Sequence, residues 1–345
     1  MPIANKTKLE ILNDENLNNS FLNANLNDLK INCKIYKGNF YCDSFNYLPI
    51  TEKMETFEDL YNWQVDNSIS HFYSKEFLDY FNKNKQNFPI IENAYVLGSS
   101  PGDNYYTNLL YFLPRIFFND EKEIRLCVHR NLSNKFRSYI SEICKNLNKK
   151  INFVFLDDNF YFFKNSKIPE FLSIEKSKKI LNYFNNHISS NVPANLKIYL
   201  SRQNVGYRNI INEDDVIKLL KKYNYRILDL NNLEIKEQLN FFINADTIIS
   251  PTGSSLANAI FCKPGTTILE IAPTFNKEYE KNLSIRYAKL CSSFNLNHLK
   301  INADTIKVNN HSGLVTKYIS KEVLNESSYY SDLIVKINEL KNFLD

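Results

Sequence analysis

The chain has 345 residues, 43% of them hydrophobic and 14% aromatic, enough to bury a large core and to form two domains. Its 42 lysines and arginines nearly cancel 38 aspartates and glutamates, and a net charge of +4 spread along the chain argues against a nucleic-acid partner. No run approaches the roughly 20 apolar residues that cross a bilayer, and the start, "MPIANKTKLEILNDENLNN", lacks the basic flank and apolar core of a secretory signal. The six cysteines have no metal-type spacing and read as buried, reduced thiols, with a Cys33–Cys42 disulfide as the alternative. A cytoplasmic location follows as the expectation.

In chain order, residues 1–90 carry no regular pattern and are read as the irregular N-terminal part of a first domain. Residues 91–190 alternate strands and helices. "AYVLGS" (94–99), "IRLCVH" (124–129) and "INFVF" (151–155) read as strands, with helical stretches near 105–118 and 133–147 between them and a helix over 173–188. The polar "SSNVPANLK" (189–197) is the expected hinge, and residues 191–345 form a second domain. There "KIYLS" (197–201), "YRILDL" (225–230), "DTIIS" (246–250) and "TILEI" (267–271) are rich in β-branched or aromatic residues. Between the first two, Val216, Leu219, Leu220 and Tyr223 fall at helical spacing, with Asn212 placed as N-cap and acids in the first turn. Between the next two, Ile235, Leu239, Phe242 and Ile243 form one stripe. Strands alternating with helices of this length predict a parallel sheet covered on both faces, an α/β fold. The end, 327–344, reads as an amphipathic helix with Leu333, Ile337, Leu340 and Phe343 near one face, free to pack back on the first domain.

The stretch "IISPTGSSLANAIF" (248–261) sets small residues where a strand passes into a helix starting at Ser254. A helix start leaves N–H groups unpaired and partly positive, which suits an anion. Gly253 permits close backbone approach, and the hydroxyls of Thr252, Ser254 and Ser255 can donate. A diphosphate would fit there; Ser254 acting only as a helix cap is the other reading. "LSRQNVGYRN" follows the first strand of the same domain and places Ser201, Arg202 and Arg208 at its carboxyl end, where the rigid arginine fork suits phosphate oxygens. "KPGTTILEI" ends a strand with Glu270, read either as an acceptor for a ribose diol or as a solvated strand-end acid. Neither a Walker lysine motif nor GxGxxG is present.

These residues come in a recognisable order. The Ser201-Arg202 pair, Arg208, Asn212-Glu213, Gln238, Ala245-Asp246, Pro251, Gly253, Leu256-Ala257-Asn258, Phe261, Pro264-Gly265-Thr266 and Glu270 resemble the characteristic region of glycosyltransferase family 61. "DNYYTNLLYFLPRIFF" (103–118) resembles that family's N-terminal-domain motif, which ends in Leu-Pro-Arg. The resemblance implies a GT-B-like fold, two Rossmann-like domains with parallel sheets facing across a cleft. It implies a nucleotide-sugar donor held by the C-terminal domain, with Asn258 among its contacts, and a glycan or lipid-linked glycan acceptor entering from the N-terminal domain. Transfer would invert the anomeric centre with no metal and no cofactor beyond the nucleotide sugar, of UDP or similar type. The chain departs from the family pattern at Thr252, where a histidine is typical, and at Thr107 and Asn108, where histidine and tryptophan are usual.

An inverting transfer needs a general base for the acceptor hydroxyl. Asp103, in the loop after the 94–99 strand, is the first choice, with N-cap of the following helix as its other role. Asp157, Asp158 and His129, each following or ending a strand of the same domain, are the alternatives. The partners expected are a nucleotide sugar and a glycan, with peripheral contact at the inner membrane if the acceptor is lipid-linked. A catalytically inert relative that binds a nucleotide sugar or glycan within a complex is the competing expectation, and a sugar-nucleotide epimerase ranks below both.

Overall fold

The computed structural model describes residues 10–12, 21–57, 74–185, 193–203, 205–275, 277 and 280–345. The chain forms two compact units. The first comprises residues 1–103 and 107–181, the second residues 104–106 and 182–345. Part of the expected hinge, 189–192, and the end of the helix expected over 173–188 lie outside the described residues.

The first unit is built on one mixed sheet. Strands β1 (Phe21–Leu26) and β2 (Ile31–Asp43) form an antiparallel pair. They are followed by β3 (Tyr95–Val96), β4 (Glu123–His129), β5 (Lys150–Leu156) and β6 (Phe160–Pro169). The order across the sheet is β1-β2-β6-β3-β4-β5, with β6, β3, β4 and β5 parallel. Residues 21–43 are therefore not irregular, since they supply two strands of this sheet. In β2, Ile31, Cys33 and Ile35 are buried at period two, the alternation of a strand with one face on a core. Helices α1 (Lys75–Asn84) and α2 (Asn134–Asn146) flank the sheet, each capped by a serine side chain. The aromatic stretch Tyr105–Phe118 is helical throughout but passes through a π turn at Asn108–Phe112 and a 3₁₀ segment at Leu113–Phe118. Gly98 makes the approach to this stretch. Its φ of +76° and a Phe112 ring carbon 2.7 Å from where a Cβ would stand leave room for no side chain. Helix α3 (Ile174–Asn185) leads out of the unit.

The second unit contains β7 (Leu196–Leu200), α4 (Glu213–Lys222), β8 (Arg226–Leu228) and α5 (Ile235–Ile243). Then come β9 (Ala245–Pro251), a 3₁₀ helix (Ser254–Phe261), β10 (Thr267–Pro273), α6 (Lys281–Ser292) and β11 (Asn297–Ile306). The chain ends with β12 (Asp332–Ile334) and α7 (Ile337–Leu344). The sheet order is β8-β7-β9-β10-β11-β12, parallel except for the last pair. This is the doubly wound arrangement anticipated from the alternation of strands and helices. Successive connections leave in opposite directions at β7 and β9, so the carboxyl ends of those two strands form the topological switch point, where sheets of this kind bind ligands.

Four local expectations change. Asn212 stands at the start of α4 but makes no cap; its side chain pairs with both backbone groups of Val335. The 254–261 segment is a 3₁₀ helix rather than an α-helix. Glu270 does not end its strand, which runs on to Pro273. The helix expected over 327–344 forms only at α7, because Leu333 and Val335 are buried at period two and the backbone of Leu333 is bonded to Asn209 and Ile211. Leu340 of α7 lies in the same core as Val216 and Leu220, so this helix packs on α4 of its own unit.

All six cysteines are free and buried, and burial pushes the Cys33 and Cys127 thiols up to about 12. Among the described residues no helix is long and apolar enough to cross a membrane.

Candidate functional site

Tyr199 of β7 is level with Ile249 of β9, so Ser201 and Arg202 leave the sheet beside Pro251 and Thr252, at the point where the strand order reverses. Gly253 is extended, with φ of 174°, and among the described residues no side chain caps the 3₁₀ helix that follows. Ser254 is thus not a cap, and the N–H groups of the first turn keep their partial positive charge. Ser254 and Ser255 are half-buried. A guanidinium nitrogen of Arg202 lies 3.0 Å from where a Gly253 Cβ would stand, so the absence of a side chain lets the arginine reach the helix tip.

The loop that carries the arginines is pinned at both ends. Glu213, buried at the start of α4, accepts from the Arg202 N–H at 3.1 Å and from the Tyr199 hydroxyl at 2.8 Å. Asn209 donates its N–H to Asp332 of β12 at 2.8 Å and bonds Val205 through its side chain. Between these anchors Arg208 takes φ of +59°, uncommon for a residue with a side chain. That backbone turn carries its guanidinium inward: it donates to the Thr252 carbonyl at 2.8 Å and stacks 3.9 Å from the centre of the Tyr329 ring. Tyr207 lies under both arginines, 4.9 Å from Arg208 and 5.5 Å from Arg202.

A third arginine joins them that sequence reasoning did not single out. Tyr287 of α6 donates its hydroxyl to the Gly253 carbonyl at 2.5 Å. Its neighbour Arg286 stacks on Tyr106, which meets Tyr287 edge-on. Burial pushes the Tyr329 phenol up, yet the charges of Arg208, Arg286 and Arg202 outweigh it and hold the phenol below its ordinary range. Burial and the nearby Arg208 bring Arg202 down to about 10. Among the described residues every ion pair involves other side chains, so three guanidiniums converge with no carboxylate to balance them. The buried Thr252 hydroxyl and the buried Arg208 Nε likewise lack a hydrogen-bond partner among the described residues. Uncompensated buried charge is expensive, and an anion arriving here would relieve it.

Two expected donor residues are engaged elsewhere. Asn258 is fully buried, accepting from the Tyr105 hydroxyl at 2.8 Å and donating to Gln238 at 3.3 Å, which locks the 3₁₀ helix to α5. Glu270 is 2% exposed and lies 2.9 Å from His298 of β11.

In the first unit, the four base candidates lie at the carboxyl ends of three strands: Asp103 after β3, His129 as the last residue of β4, and Asp157 and Asp158 after β5. Asp103 accepts from Asn108 at 2.8 Å, and Asn108 in turn accepts from the Ser100 N–H at 2.7 Å. Burial raises the Asp103 carboxyl to about 6, against the opposing pull of Ser133 and Asn108. A half-buried carboxyl near neutrality suits proton transfer. His129 is fully buried. Its Nδ1 accepts from the Asn131 N–H at 3.1 Å, which leaves the proton on Nε2, 2.7 Å from Asp158. With both ring nitrogens committed, this pair is organised as a structural couple. Asp157 pairs with Arg130. Arg115 of the Leu-Pro-Arg motif is wholly buried and ties β3 to β6, donating to the carbonyls of Leu97 at 2.6 Å and Pro169 at 2.5 Å.

The sequence profile of the family described as Glycosyltransferase 61 matches residues 57–269, more than half of the chain and inclusive of every arginine-loop and helix-tip residue named except those of α6 and the C-terminal segment. The chain belongs to this family. A comparison with curated proteins found no match.

Proposed function

We propose that this member of the glycosyltransferase 61 family moves a sugar from a nucleotide-sugar donor to a surface-glycan acceptor, free or lipid-linked, with inversion and with arginines rather than a metal balancing the departing diphosphate. The observation that carries the reading is that Arg202 and Arg208 meet the uncapped tip at Gly253–Ser254, with Arg286 joining them around Tyr329 and no carboxylate paired to the three among the described residues. Preorganised cations where charge develops are worth the most in a site that excludes water. The nucleotide diphosphate lies on the helix tip, with Thr252, Ser254 and Ser255 as hydroxyl donors and Ser201 beside Arg202. Asp103 is the residue best suited to take the acceptor proton.

The test is nucleotide release from a panel of nucleotide sugars, with thermal protection by uridine diphosphate as a second readout. Release that survives a chelator and is abolished by Arg202→Ala is the expected outcome; no protection by any nucleotide would sink the reading. Thr252, standing where the family typically has histidine, favours one other reading, a non-catalytic nucleotide-sugar-binding or glycan-binding component of a biosynthetic complex. Arg202-dependent release of nucleotide excludes it.

A further inference from the structure

We propose that Arg286 is a third cationic ligand of the donor diphosphate, set in place by Tyr287 and matched to the charge that appears as the sugar departs. The inference rests on the reading above, that the β7/β9 edge holds a diphosphate. Arg286 lies on α6, beyond the stretch that matches the family. It reaches the site by a short chain of contacts: Arg286 on the Tyr106 ring, Tyr106 against Tyr287, and Tyr287 bonded to the Gly253 carbonyl at the helix tip. Tyr329, under Arg208, closes the same cluster. Burial keeps the Tyr287 phenol protonated, so this donor persists across the neutral range.

Charge counting explains why three cations stand here. A sugar ester of a nucleoside diphosphate carries two negative charges. In transfer, the bond from the anomeric carbon to the β-phosphate oxygen breaks and its electron pair stays on that oxygen. The acceptor oxygen forms the new bond to the same carbon, and its proton passes to the base. The released diphosphate therefore gains one negative charge. Arg202 and Arg208, both on the β7 loop, match the two charges of the bound donor. Arg286, approaching from α6, matches the third, so it stabilises the transition state and product more than the bound donor.

Inorganic pyrophosphate and orthophosphate make the test independent of the base and sugar. Titration calorimetry of the wild-type chain is expected to show pyrophosphate binding more tightly than orthophosphate. Arg286→Gln should weaken pyrophosphate by about 10- to 100-fold while changing orthophosphate by less than about threefold, and Arg286→Lys should recover part of the loss. In turnover, Arg286→Gln should lower kcat more than it raises KM. Equal losses for the two anions, or no loss for either, would overturn the assignment. If Arg202→Ala still weakens pyrophosphate in that event, the diphosphate reading stands without Arg286. A wild-type chain that binds neither anion overturns both. Unchanged melting of the ligand-free Arg286→Gln and Arg286→Lys chains separates these outcomes from misfolding, and if Gln unfolds the chain, the Lys variant carries the comparison.

Discussion

The carboxyl edges of the two sheets are organised in opposite ways. In the second unit, Arg202, Arg208 and Arg286 gather without a carboxylate partner, and the Thr252 hydroxyl and Arg208 Nε go without hydrogen-bond partners, among the described residues. In the first unit charge is matched at close range: His129 faces Asp158, Arg130 faces Asp157, and Asp103 is held by Asn108 and Ser133. Even the buried Arg115, which also lacks a carboxylate, has two carbonyls and the face of Phe171 at 4.1 Å. An edge left electrostatically incomplete is the one an anion would stabilise most. What the first unit's edge offers is the Asp103 carboxyl, raised to about 6 by burial.

The largest effect should come from the incomplete edge. Arg208→Ala removes a cation already placed against the Thr252 carbonyl and is expected to lower kcat/KM by about 10²- to 10³-fold, read in steady-state kinetics. Asp103→Asn should cost about 10²-fold in turnover and erase an ascending limb in the wild-type rate profile with an apparent pKa about 6. The same carboxyl has a stability signature. Its native pKa is raised above the ordinary 3.8, so the folded chain holds the proton longer and loses stability as pH rises from about 4 to about 6. Denaturant titrations of Asp103→Asn should lose that part of the slope. Arg115→Met, which strands the Leu97 and Pro169 carbonyls, should destabilise the chain by about 2–4 kcal/mol in chemical denaturation. The smallest effect belongs to the completed pair. Asp158→Asn should change turnover by no more than about threefold, since the Asp158 carboxylate is half-exposed and serves to orient the His129 ring. A loss of 10²-fold there, with Asp103→Asn silent, would move the base to the His129–Asp158 pair.

Much of the second unit was legible in the residues. Period 3.6 in 213–223 against β-branched runs on either side predicts alternating elements, and a parallel sheet puts every strand end on one edge, so Arg202, Arg208 and Gly253 were expected together. Asn258 and Glu270 sit among the same motifs, yet the fold turns the first toward Gln238 and Tyr105 and the second toward His298. The direction in which a buried polar side chain faces depends on which neighbour can satisfy it. Nothing in the amphipathic pattern of α6 marks Arg286, because its significance comes from contacts with residues about 180 positions earlier and 40 later. The C-terminal segment misleads for another reason: Leu333, Ile337 and Leu340 fit a helical stripe, while Leu333 and Val335 also fit a strand, and pairing with β11 decides between them.

By itself, the sequence determined that the chain is α/β, that arginines and small residues follow two of its strands, and that it carries the family's ordered motif. These are properties of local period and residue type, and local rules govern them. Tertiary structure decided the order β8-β7-β9-β10-β11-β12, and with it which strand ends become neighbours. Folding also brings a third guanidinium beside Arg202 and Arg208 around the Tyr329 ring, because electrostatic convergence depends on distance in space and not on separation along the chain.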